Sequence, residues 1–364
     1  MHFVFVSYNY SPNFSSPATW INRIKVYVGS LECLAKEDKV TRVEQINYAG
    51  NYQHNGIQYY FTDFGRRKYL PWKLNHFVKQ LHPDIVFVSG LHFPLQVIQL
   101  RLILGKKVKI VAQNHAEKPF TGIKKYIQKM ADRCIDAYLF ASQGLGMDWV
   151  NKGNLASPQK IHEVMEVSSV FYPVDKAYAK SRTGVSGDPV FLWVGRLNAN
   201  KDPLNVVSAF LEFNNMYPAA HLYMIYHTDE LLNEIKLLLN KNENKDAITL
   251  IGEVPHDELL YWFNSSDFII SGSHYEGSGT AVCEAMSCGC IPVVTDIFSF
   301  RMITDSGNCG ILYEPGNKEA LLSALTQTMH PNINEKRSKS LEYFREKLSF
   351  EAIAREIKSI ASSL

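Results

Sequence analysis

A chain of 364 residues exceeds the size at which single hydrophobic cores stop growing, so two domains of roughly 150 to 200 residues are expected. Forty-six per cent apolar residues suffice for two cores, while 20 % charged residues and a net charge of +2 remove the electrostatic pull on which nucleic-acid binding depends. No window reaches the roughly 20 apolar residues that span a bilayer, which points to a soluble or peripheral protein.

The chain opens with Met1-His2-Phe3-Val4-Phe5-Val6-Ser7, an apolar run without a preceding basic segment. It reads as a first buried strand and not as a secretion signal, so a cytoplasmic location is expected. Residues 17–37 have helical period, with Trp20, Ile21, Ile24, Val28, Leu31 and Ala35 on one face and Pro17 in the first turn. Strands follow at Ile85–Val88, Lys109–Gln113 and Ala137–Phe140. Between the last two, Ile123, Tyr126, Ile127, Met130 and Cys134 have the spacing of a buried stripe, which leaves Lys124, Lys125, Lys129 and Arg133 on a solvated face. With Lys106, Lys107 and Lys109, these cations are also the basis for a second reading, peripheral membrane contact through the N-terminal half.

Across residues 173–189 the apolar period lapses and Pro, Gly and Ser gather, marking a linker between an N-terminal domain at 1–172 and a C-terminal domain at 190–347. A second strand series runs Val190–Val194, His221–Ile225, Ile248–Ile251, Phe268–Ile270 and Ile291–Val294. Helical patterns at 203–216, 229–242, 255–264 and 279–288 separate these strands, and an amphipathic tail occupies 348–364. Buried strands alternating with crossover helices define an α/β class, with two Rossmann-like doubly wound domains facing each other across a cleft. Ligands then belong beyond the carboxyl ends of the strands. The six cysteines have no metal spacing and read as buried free thiols.

Two loops carry most of the chemistry. Gly195-Arg196-Leu197-Asn198-Ala199-Asn200-Lys201-Asp202-Pro203 leaves a strand and enters a helix, with Asp202 as expected N-cap and Pro203 at its first position. Arg196 and Lys201 are suited to neutralise a diphosphate leaving group. The second loop, Glu276-Gly277-Ser278-Gly279-Thr280, enters a helix that carries Glu284 two turns on. Its glycines admit a ligand to the backbone, and the helix N-terminus offers N–H donors to phosphate. Glu276 and Glu284, eight residues apart, suit hydrogen bonds from sugar and ribose hydroxyls.

Residues 195–203 together with 276–296 resemble the donor-site signature of the group 1, family 4 glycosyltransferases of the GT-B fold, whose Glu-x7-Glu spacing Glu276 and Glu284 meet. The resemblance implies a retaining transferase, hexosyltransferase in type, that uses a nucleotide-diphosphate sugar. By the same resemblance Arg196 and Lys201 bind the diphosphate, Glu276 the sugar and Glu284 the ribose. The Gly277–Thr280 turn holds phosphate or sugar, and the base rests near Gly252 and Val254. It also implies that the last helix returns to the first domain, and that His115, beside Asn114, faces the reacting sugar. His92 is a weaker candidate. One departure is that the Gly-Gly loop common after the family's first strand is replaced by residues 9–19, among Tyr8, Tyr10, Phe14 and Trp20.

The family's common role, assembly of surface polysaccharide or lipopolysaccharide, implies a sugar or lipid-linked sugar acceptor and a place at the inner face of the cytoplasmic membrane. No Asp-x-Asp pair occurs; the reading requires no metal and no cofactor beyond the donor substrate. Two alternatives stand beside it: a nucleotide-sugar epimerase on the same fold, and a non-catalytic nucleotide-sugar-binding scaffold.

Overall fold

The computed structural model describes residues 1–62, 71–330 and 333–364. It divides into two compact units, Met1–Ser168 with Ser349–Leu364, and Ser169–Leu348.

The first unit holds an eight-stranded sheet: β1 (His2–Ser11), β2 (Lys39–Ile46), β3 (Gly50–His54), β4 (Ile57–Phe61), β5 (Ile85–Ser89), β6 (Lys109–Gln113), β7 (Ala137–Phe140) and β8 (Ile161–Glu163). Their order is β3-β4-β2-β1-β5-β6-β7-β8. Every pair is parallel except β3 with β4. Those two form a hairpin whose two-residue turn, Asn55-Gly56, holds both residues at positive φ (46° and 81°). The continuous apolar runs Phe3–Val6 and Ile85–Val88 lie at the centre, where Phe5 stacks on Phe87 at 4.7 Å. Each such fully buried side chain contributes about 1.5–3 kcal/mol. The helix expected over 17–37 is two helices, Pro17–Arg23 and Lys25–Leu34, which break at Ile24. The last helix, Phe350–Ser363, packs on Lys25–Leu34.

The second unit has six parallel strands, β9 (Val190–Gly195), β10 (His221–Tyr226), β11 (Ile248–Gly252), β12 (Phe268–Ser271), β13 (Ile291–Thr295) and β14 (Ile311–Tyr313), in the order β11-β10-β9-β12-β13-β14. Phe191, Phe210, Phe213 and Phe268 pack at its centre. The stretch 173–189, read above as a linker, belongs to this unit and contains a helix, Lys176–Thr183. Asp175 caps that helix by accepting from the Tyr178 N–H. Four of the six free cysteines are buried, and burial pushes the Cys288 thiol up to about 12 and the Cys309 thiol to about 11, away from reactivity.

Both sheets have a point where the strand order reverses, between β1 and β5 in the first unit and between β9 and β12 in the second. Loops leaving such neighbouring strands diverge to opposite faces and open a crevice.

Candidate functional site

In the second unit the loops at this crevice are 196–202 after β9 and 272–279 after β12. They are stitched together through backbone carbonyls. His274 N donates to the Asn200 carbonyl at 2.8 Å, and Asn200 Nδ2 donates to the Tyr275 carbonyl at 3.0 Å. Gly272 is required for this approach, since a Cβ there would meet the Lys201 carbonyl oxygen at 3.1 Å. The first loop closes as a short 3-10 turn in which Asn198 accepts from Lys201 N at 3.2 Å. Asp202 precedes Pro203 as expected but does not cap the helix with its side chain. Its backbone is left-handed (φ 45°), and its carboxylate turns to His274 Nε2 at 3.3 Å.

This stitching sets Lys201 Nζ against Glu276 Oε1 as an ion pair whose side chains are only 21 % and 15 % exposed. A charge so withdrawn from water needs its partner, so each side chain holds the other in place until a ligand competes for them. Arg196 is exposed on the same loop and makes no ion pair among the described residues. The Glu276 backbone is fixed by Ser299, whose hydroxyl donates to its carbonyl at 2.6 Å.

Gly277, Ser278 and Gly279 are buried. Gly279 (φ 56°) is the N-cap of the helix Thr280–Ser287 and provides no side-chain cap, which leaves the first-turn N–H groups without that partner. An alanine at 279 would place its Cβ 2.7 Å from the Phe300 ring. Glu284 is buried on this helix, and its Oε1 lies 2.7 Å from His256 Nε2. His256, which packs on the Phe171 ring at 5.0 Å, escaped the sequence reading. It lies just past Gly252 and Val254, in the loop where the base was expected. Gly252 has φ 85° and open space where a Cβ would be.

His115 and Asn114 lie in the first unit, after β6. Asn114 is buried and engaged at both ends of its amide: Nδ2 donates to Glu117 Oε2 at 2.8 Å, and Oδ1 accepts from Ala116 N at 3.2 Å. This shapes the loop. His115 Nδ1 pairs with Glu166. Burial acts to lower the His115 pKa, but the Glu166 hydrogen bond and the charges of Glu166 and Glu117 override it, so the net shift is upward.

His115 opens onto a cavity of about 550 Å³ walled by first-unit residues, including Tyr10, Trp20, Arg42, Glu44, His92, Glu117 and Glu166. Arg42 pairs with Glu44, and Glu117 accepts from Leu91 N at 3.0 Å. Trp20 Nε1 is buried without a hydrogen-bond partner among the described residues. Of the aromatic cluster read after the first strand, Tyr8 is core, its hydroxyl donating to Asn75 at 2.8 Å, while Tyr10 and Trp20 line the cavity. Where a Gly-Gly loop would interrupt the chain, β1 instead runs on to Ser11, with a register shift between Val6 and Tyr10. Arg42, Glu44 and Glu166 were not anticipated, although a lone Glu between Met165 and Val167 was a visible signal.

Two strand-reversal crevices, each in a Rossmann-like sheet, define a GT-B architecture. Residues 175–347, inside the second unit, match the family described as Glycosyl transferases group 1. It is 23 % identical over 286 residues to the lipopolysaccharide core biosynthesis mannosyltransferase LpsB of Rhizobium meliloti (strain 1021), covering 74 % of this chain and 76 % of that protein. Against O-antigen chain mannosyltransferase B of Escherichia coli it is 24 % identical over 142 residues, 38 % of this chain and 36 % of the relative. A glycosyltransferase from Rickettsia africae ESF-5 shares the fold with a TM-score of 0.75 at 15 % identity, covering 100 % of this chain and 98 % of that one. HepE of Anabaena, solved in complex with UDP, gives 0.74 at 12 % identity over 100 % of both.

Proposed function

We propose that the protein is a retaining hexosyltransferase that takes a sugar from a nucleotide-diphosphate sugar and passes it to an acceptor hydroxyl. The observation that carries this is the Lys201–Glu276 pair, four residues ahead of the Thr280–Ser287 helix N-terminus at the β9/β12 reversal. Diphosphate draws Lys201 from Glu276 and receives Arg196 and the helix N–H groups, freeing the Glu276 carboxylate to accept from sugar hydroxyls. Glu284 accepts from the ribose, and the loop of Gly252 and Val254 flanks the base. As the anomeric C–O bond to phosphate breaks, the acceptor oxygen attacks from the same face and its proton passes to the departing phosphate. Positive charge from protein groups balances the leaving group in this scheme, which uses no metal.

The first-unit cavity is the proposed acceptor site. Its carboxylates and imidazoles suit a hydroxyl-rich molecule, and the Trp20 N–H, unpartnered among the described residues, is a donor available to one. HepE binds UDP in its solved complex, and LpsB is named for lipopolysaccharide core biosynthesis. The first supports a nucleotide-diphosphate donor and the second a role in surface polysaccharide or lipopolysaccharide assembly; with that role go, in this proposal, a sugar or lipid-linked sugar as acceptor and a location at the inner face of the cytoplasmic membrane.

The test is a thermal-shift and calorimetry screen against nucleotide-diphosphate sugars with and without chelator, followed by NMR of the anomeric product. Stabilisation by one donor regardless of chelator, and a product of retained configuration, are expected. No response to any donor or to free UDP or GDP overturns the reading.

A further inference from the structure

The helix Gly122–Asp132 does not bury the stripe its spacing predicts. Ile123 is 78 % exposed, Tyr126 68 % and Met130 52 %, whereas the residues it buries are Gln128, Ala131 and Asp132. The inversion has a structural cause. Asp132 accepts from the Tyr138 hydroxyl at 3.1 Å and from Ala156 N at 3.2 Å, and Gln128 Nε2 donates to the same Tyr138 hydroxyl at 3.4 Å. The polar face is therefore tied to the sheet, and the apolar face is turned to water. The helix Pro94–Leu104 packs beside it and presents Leu102, which is 75 % exposed.

Charge surrounds these side chains with one sign. Residues 101–134 carry nine cations and two carboxylates in a chain whose total is only +2. Both carboxylates, Glu117 and Asp132, are buried, while Lys106, Lys107, Lys118, Lys124, Lys129 and Arg133 are exposed. An outward apolar stripe interleaved with lysine is the arrangement that lies in a lipid headgroup layer: the apolar side chains enter the acyl boundary and the cations meet anionic headgroups. We infer that this face, centred on Ile123, Tyr126 and Met130, docks the protein on an anionic lipid bilayer. The surface stands on its own exposure and charge, independently of the donor assignment, and a bilayer explains both the apolar stripe and its cationic rim.

The experiment is flotation of the full chain with vesicles of phosphatidylcholine alone and of phosphatidylcholine with roughly one third phosphatidylglycerol, at low and high salt. Binding to the anionic vesicles is expected, weakened by salt. Lys124→Gln/Lys125→Gln/Lys129→Gln should lower it on the order of a hundredfold, from about fivefold per basic residue. Ile123→Ser/Tyr126→Ser/Met130→Ser should lower it by roughly tenfold or more. Melting temperatures should stay close to the parent's, because the altered side chains are largely exposed. No binding to anionic vesicles at low salt overturns the inference, as does undiminished binding by the serine variant. So does sedimentation showing a dimer that the serine variant dissolves, which assigns the face to a second copy of the chain.

Discussion

The two units open their sheets at the same kind of place and furnish the opening differently. In the second unit the crevice is made by two short loops, 196–202 and 272–279, joined by hydrogen bonds to backbone carbonyls, the Lys201–Glu276 ion pair and the Asp202–His274 contact. In the first, the cavity draws on residues from Phe5 to Ile357 and is walled with carboxylates, imidazoles and aromatic rings. A phosphate is recognised by backbone N–H groups, glycines and fixed cations, and these need local chain geometry. A cavity for a polyhydroxylated molecule can be assembled from any strands whose ends converge. Altering either unit should separate these two kinds of dependence.

The largest effect is expected at the ion pair. Lys201→Ala and Glu276→Ala should each lower transfer by roughly 10²–10³-fold, the usual scale for losing a group that meets developing charge. Circular dichroism should show the fold retained. Transfer at the parent rate in both variants would remove this pair from the mechanism. Next is Gly279→Ala. Its positive φ and the Phe300 ring 2.7 Å from a new Cβ should cost about 2–3 kcal/mol in urea unfolding, more than Gly252→Ala, which shares the strain of a positive φ but places its Cβ in open space. Glu284→Ala should weaken nucleotide binding by roughly tenfold in calorimetry with a smaller change in turnover, because a ribose contact serves ground state and transition state alike.

The same contrast explains what the sequence made legible. Central strands such as Ile85–Ser89 and Val190–Gly195 are continuous apolar runs, and both glycine-bearing donor loops are contiguous. β2 escaped because it buries Thr41, Glu44 and Gln45 beside its valines, so its composition reads as a surface segment. The β3–β4 hairpin was signalled by Asn55-Gly56 but has polar residues at alternate positions. The inverted helix Gly122–Asp132 shows the limit of periodicity. Spacing identified an apolar stripe, but its direction was decided by hydrogen bonds from Tyr138 and Ala156, which lie beyond the helix, six and 24 residues past Asp132. His256 and Glu166 were missed because each acquires its role from a partner, Glu284 or His115, 28 or 51 residues away.

The smallest effect tests whether the first-unit cavity holds a fixed charge pair. His115 has its pKa raised above the ordinary 6.5 because Glu166 and Glu117 favour the imidazolium more than burial opposes it. A raised folded-state value means that the pair's contribution to stability is fully present below the unfolded pKa and is lost as pH rises through the folded one. The stability difference between the parent and Glu166→Gln should therefore be largest near about pH 6 and shrink toward about pH 9. Its size should be on the order of 1 kcal/mol, since the His115 side chain remains 32 % exposed to screening solvent. Urea unfolding across this range reads it directly. A difference that is flat with pH would mean that Glu166 holds a neutral imidazole by geometry alone, and a difference that grows with pH would reverse the sign of the coupling assigned here.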